Sequence, residues 1–260
     1  MKLRTLLAVG AVGMASAAFA TGTTTSANTY GIFALPDTTS PDLMISVPWV
    51  DCADVSQNTF VSNVVKTTNL AAGDYLILKD GSTYNSWVLT GTAPDLHWTA
   101  QQVVTPDGVT NSVDATGKRI ARGMALWLHR ATPSTSSPIY LFGQYSAAEA
   151  TTAIASGVTT MIANPGTSDL KISAITGKFT SGAPANGDKV MVNTATGYKA
   201  YTYNGSAWTY KTTAASALPA LPGGQSASVA GTATVTDSDV IPAGKGFWYQ
   251  SKTGAGTITW

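Results

Sequence analysis

Apolar and polar positions alternate in short runs along most of the chain. Tyr30-Gly-Ile-Phe-Ala-Leu35 is the first such run and is closed by Pro36-Asp37. Leu43 to Pro48, Tyr75 to Leu78, Ile139 to Phe142, Val190 to Val192 and Thr257 to Trp260 read the same way. Each is rich in β-branched or aromatic residues and bounded by Gly, Asn-Gly or Pro, which is the signature of a strand between turns. Helical spacing is almost absent. Ser146 to Ser156 (SAAEATTAIAS) is the best helix candidate, as a linker helix or a helical cap. The pattern predicts an all-β protein of antiparallel sheets, arranged as sandwiches or barrels.

The landmarks occur twice, in one order. Ile120-Ala-Arg-Gly-Met-Ala-Leu-Trp-Leu128 matches Ile241-Pro-Ala-Gly-Lys-Gly-Phe-Trp-Tyr249. Leu43-Met-Ile-Ser-Val-Pro48 matches Thr160-Met-Ile-Ala-Asn-Pro165. Gly73-Asp74 and Gly187-Asp188 each turn into an apolar strand, and Tyr84 to Trp87 matches Tyr198 to Tyr201. Trp98 and Trp208 follow in their copies. Repeats separated by 110–121 residues are duplicated domains, since solenoid units run about 20–50 residues. The expected organisation is two tandem antiparallel β-sandwich or barrel-like domains from an internal duplication, with at most one short linker helix. Residues 21–42 form an arm carrying one strand, 43–145 the first repeat, 146–157 a linker and 158–260 the second repeat.

One hairpin can be drawn in detail. Asn204-Gly205 is the strongest short-range signal for a two-residue turn. The resulting register pairs Tyr203 with Ser206, Tyr201 with Trp208 and Lys199 with Tyr210. It puts Tyr201, Tyr203, Trp208 and Tyr210 on one face. That face is either the core of the second repeat or an exposed platform for stacking sugar rings.

The N-terminus changes the compartment. Lys2 and Arg4, an apolar run from Leu6 to Met14, and Ala18-Phe19-Ala20 make residues 1–20 a secretory signal peptide cleaved near Ala20, so no membrane span is expected in the mature form. Without Lys2 and Arg4, the 15 basic residues fall to 13, against 14 acidic ones. A near-neutral chain has no electrostatic footprint for nucleic acid. At 11% charged residues, the surface is largely Thr, Ser, Ala and Gly, and low net charge weakens repulsion between copies. Cys52 is the one cysteine. It is either a buried small side chain or half of an intermolecular disulfide.

Groups suited to catalysis are scarce. Glu149 is the only glutamate, and His97 and His129 are the only histidines. Asp74, Asp80, Asp107 and Asp188 each neighbour a glycine, the setting of a turn. No G-x-S-x-G elbow, zinc spacing or phosphate loop is present. Asp237-Ser-Asp239, or Asp51 with Asp54, are the nearest approach to a calcium loop and match no EF-hand pattern. No catalytic, cofactor-binding or metal-binding residue is therefore assigned.

Ser46-Val-Pro-Trp49, Leu141-Phe-Gly-Gln-Tyr145, Ile162-Ala-Asn-Pro165 and the paired Ile-x-x-Gly…Trp runs resemble those of a group of uncharacterised exported bacterial proteins. The resemblance covers the mature chain and implies export and a β-repeat fold. It carries no catalytic residue. The expected function is a non-enzymatic structural subunit of an extracellular filament, sheath or surface layer, with its own copies as partners. Tyr30, Ile32, Phe33, Leu35 and Trp260 are the expected assembly contacts, with the Tyr30 to Leu35 arm pairing within its own chain or on the next subunit. The alternative is a secreted carbohydrate-binding or adhesive module that takes an extracellular glycan on the aromatic hairpin.

Overall fold

The computed structural model describes residues 30–35, 40–52, 56–80, 83–105, 108–111, 114–133, 138–144, 146, 148–194, 197–211 and 232–260. The expected signal peptide lies outside them, as does Asp54. The first half holds β1 (Tyr30–Leu35), β2 (Asp42–Ser46), β3 (Thr59–Phe60), β4 (Tyr75–Asp80), β5 (Thr83–Thr90), β6 (His97–Ala100), β7 (Gln102–Thr105), β8 (Gly108–Asn111), β9 (Arg119–Ile120), β10 (Ala125–His129) and β11 (Ile139–Gln144). The second holds β12 (Thr151–Ile154), β13 (Thr159–Ala163), β14 (Leu170–Lys171), β15 (Phe179–Ser181), β16 (Lys189–Thr194), β17 (Gly197–Tyr203), β18 (Trp208–Lys211), β19 (Thr232–Thr234), β20 (Val240–Ile241), β21 (Gly246–Gln250) and β22 (Gly256–Thr259).

The protein is mostly β, in antiparallel sheets, and no barrel closes among the described residues. The principal sheet of the first half runs β2-β10-β4-β5-β6, and that of the second runs β13-β21-β16-β17-β18-β19. The first five positions follow the same order in both. The shared landmarks take matching places: Met44 pairs with Trp127 and Met161 with Trp248. Each Gly-Asp turn also works the same way. Asp74 accepts from the Ala71 and Ala131 amides, and Asp188 from those of Ala185 and Lys252. These buried carboxylates close the loops that lead into β4 and β16.

Strand alternation sorts side chains into three apolar layers. Leu43, Ile45, Leu76, Leu126 and Leu128 point into a first-half core with Trp87 and Trp98. Ile162, Val190, Phe247 and Tyr249 point into a second-half core with Tyr201 and Trp208. The opposite faces of both principal sheets meet in a third layer built on Met44, Ile77, Trp127, Met161, Met191 and Trp248. The Trp127 and Trp248 rings lie 6.5 Å apart there. Two backbone hydrogen bonds cross the junction reciprocally, Ser46 N–H to Gly244 O at 2.9 Å and Ala163 N–H to Gly123 O at 2.8 Å. The halves therefore share a core.

Two local expectations are corrected. Ser146 to Ser156 contains strand β12 and no helix among its described residues. Alanine favours a helix weakly, but Thr152 and Ile154 are buried while Thr151 and Ala153 are exposed, and period-two burial against β22 overrides local propensity. Among the described residues the helical pieces lie elsewhere, in a single turn at Val61–Val64 and a 3-10 helix at Ile172–Lys178. The hairpin register is also shifted. Tyr203 pairs with Trp208 and Tyr201 with Tyr210, because the turn spans Asn204 to Ala207. The Asn204 side-chain oxygen accepts from the Ser206 and Ala207 amides, and Gly205 supplies a positive φ of 98°. A slip of two residues keeps all four aromatics on one face.

Candidate functional site

The strongest candidate is the outer surface of the N-terminal strand. β1 pairs antiparallel with β11 of its own chain, from Tyr30 opposite Gln144 to Leu35 opposite Ile139. The arm is thus bound internally, over more than a hundred residues of sequence. No strand among the described residues pairs its other edge. The backbone along that edge presents donors and acceptors to which another strand can add.

Alternation divides the expected contact residues. Leu35 is buried in the first-half core and Phe33 packs on that core. Phe33 also crosses the junction, since a Cβ at Gly244 would meet its ring at 2.3 Å. Gly31 lies opposite Gly143, and together they leave a notch filled by Trp49. A Cβ on Gly31 would sit 2.3 Å from the Trp49 ring, and one on Gly143 would sit 2.1 Å from Trp49 Cβ. Ile32 points the other way and is 69% exposed, the large hydrophobic side chain left exposed among the described residues. Its partner Phe142 is half-buried, with the Lys66 ammonium 4.6 Å from its ring centroid. Ala34, opposite Tyr140, extends the same face. The side chain of Tyr30 is outside the described residues.

Trp260, the remaining expected contact, packs against the second-half core. Its ring stands edge-on to Phe247 at 6.4 Å and covers Gly123 of the first half.

The aromatic hairpin is not a platform. Tyr201, Tyr203 and Trp208 are buried, and Tyr210 packs against the same core. Trp208 Nε1–H donates to the Thr176 hydroxyl at 3.1 Å, and Trp208 meets Tyr249 edge to face at 6.3 Å. Burying three large rings, with Tyr210 packed partly buried against them, removes far more apolar area from water than exposing them for a ligand would allow, so the core reading prevails.

The acidic candidates serve structure. Asp239 accepts from Lys199 Nζ at 2.5 Å, the Tyr201 hydroxyl at 3.0 Å and the Thr236 amide at 2.8 Å. Burial pushes its pKa up, but the Lys199 hydrogen bond, the Thr236 amide, the Tyr201 hydroxyl and the Lys199 charge outweigh that and hold the carboxyl below its ordinary value. A cation from the chain itself occupies this carboxylate. Asp237 is an exposed partner of Lys171, and Asp51 pairs with Arg119 at 3.2 Å. His129 stacks on Tyr75 and sits 2.7 Å from Asp42 Oδ1, which also accepts from Trp127 Nε1–H. Sequence reasoning missed Asp42 as the anchor of this cluster, because the pairing joins residues 87 apart. Cys52 is half-buried; desolvation first, and the Asp51 charge second, raise its thiol pKa against an opposing pull from Lys66.

Comparison with protein-family models, with curated proteins and with solved structures finds no match to this chain.

Proposed function

We propose that the protein is a non-enzymatic structural subunit of an extracellular or cell-surface assembly, such as a filament, sheath or surface layer, in which copies join through strand edges and apolar contacts. The observation that carries this reading is Ile32: a 69% exposed aliphatic side chain on a strand paired along one edge, next to Phe142 and Tyr140. Burying such a side chain contributes about 1.5–3 kcal/mol. A strand added to the open edge of β1 would cover it while satisfying main-chain groups. The near-neutral, weakly charged chain offers little repulsion against such contact. The export signal expected at residues 1–20, and the resemblance to exported β-repeat proteins, support placement outside the cell. We further propose that the two halves descend from one duplicated unit, supported by their common strand order.

Sedimentation velocity of residues 21–260 tests the contact. The wild-type chain is expected to associate with rising concentration. Ile32→Asp, which puts a charge on the open edge, is expected to leave a monomer of unchanged melting temperature. Equal association of the variant and the wild type would remove the β1 edge from the account.

A further inference from the structure

The two halves differ at one structurally matching place. β2 continues into Pro48-Trp49 and β13 into Pro165-Gly166, five residues beyond Met44 and Met161 respectively. Leu141, bridged to Val65, corresponds to Ile258, paired with Phe179. Two residues further on stand Gly143 and Trp260. The first half thus sets a tryptophan on the loop over a glycine on the strand. The second sets a glycine on the loop beside a tryptophan after the strand. In the first half the Trp49 ring fills the notch. In the second the exchange leaves a cavity of about 150 Å³.

Five residues besides Gly166 give this cavity its chemistry: Arg122, Ser168, Asp169, Lys178 and Trp260. Arg122 Nη1 is fixed by the carbonyls of Ser146, at 2.7 Å, and Ala148. The Lys178 ammonium ends the 3-10 helix and lies 5.7 Å from the centroid of the Trp260 ring. Asp169 accepts from the Ala243 amide through Oδ1. Two cations, one carboxylate, a hydroxyl and an aromatic wall do not suit a simple inorganic anion, which Asp169 would repel. They suit a ligand that carries a carboxylate and hydroxyl donors on one ring. Such a ligand would set its carboxylate toward Lys178 and Arg122, its hydroxyls toward Asp169 and Ser168, and its ring toward Trp260.

We propose that the cleft between Gly166 and Trp260 binds one uronic acid residue of an acidic polysaccharide. This site is distant in kind from the aromatic hairpin, and it stands independently of the β1 edge.

Titration calorimetry of residues 21–260 with D-glucuronate tests it, with D-glucose and sodium sulfate as comparators. Saturable glucuronate binding is expected, with glucose weaker by about tenfold for want of the charge-assisted contact, and no competition by sulfate. Lys178→Gln, a partly exposed substitution that leaves the core intact, should weaken glucuronate about tenfold. Gly166→Trp, which restores the residue used by the first half, should abolish binding. A Cβ at Gly166 meets Asn164 Oδ1 at 3.2 Å, so if that variant fails to fold, Lys178→Gln decides. The proposal falls if glucuronate does not saturate, if glucose binds equally well, if sulfate displaces glucuronate, or if Lys178→Gln binds like the wild type.

Discussion

At the scale of single residues, stability rests on a few close approaches. Gly143 is the tightest, with Trp49 Cβ 2.1 Å from where its own Cβ would stand. Gly143→Ala is therefore expected to lower stability to urea by about 1–3 kcal/mol through overpacking, and the penalty should shrink when Trp49 is also replaced by glycine, which alone removes the clashing Cβ. Asp239 carries a pH dependence. Its folded pKa lies below the ordinary value, so its contribution is complete above the unfolded pKa and is lost as pH falls through the folded one. Asp239→Asn should flatten the loss of stability that sets in as pH falls below about 4, measured by urea titration at each pH. The raised thiol pKa of Cys52 predicts alkylation by iodoacetamide at pH 8 slower than that of a free cysteine peptide, because less thiolate is present. Equal rates would show that the thiol does not experience the burial described.

At the scale of elements, strands and turns were legible in the sequence and their partners were not. Tyr30 to Leu35 reads as a strand from composition alone, but its pairing with β11 joins segments that no local pattern connects. Asn204-Gly205 marked a hairpin correctly and its register wrongly, because the Asn204 side chain caps a longer turn. Thr151–Ile154 read as part of a helix because alanine and Glu149 surround it, whereas β22 supplies a neighbour for its alternate side chains. The aromatic face of the hairpin was legible as a face, but whether it met water or core depended on sheets elsewhere in the chain. With Trp208 buried, Trp208→Ala is expected to cost about 3–5 kcal/mol of stability. A variant that kept its melting temperature while losing glycan retention would contradict this. The cleft at Gly166 was least legible of all, since it depends on a loop residue and a strand-end residue exchanging roles between the halves.

At the scale of the whole molecule, two sheets of matching strand order stack on a shared layer of methionine and tryptophan. Calorimetry should therefore show one cooperative transition, and two resolved transitions would mean that the halves unfold independently. Among the described residues the outward face of β1 lacks a paired strand on its outer edge, with Ile32 exposed on it. The central claim is that this face joins copies outside the cell. Electron microscopy of the protein as produced by its own cells tests that claim most directly. Ordered filaments or sheets in the wild type, lost in Ile32→Asp, are the expected result. Dispersed particles the size of one chain at high concentration would contradict it.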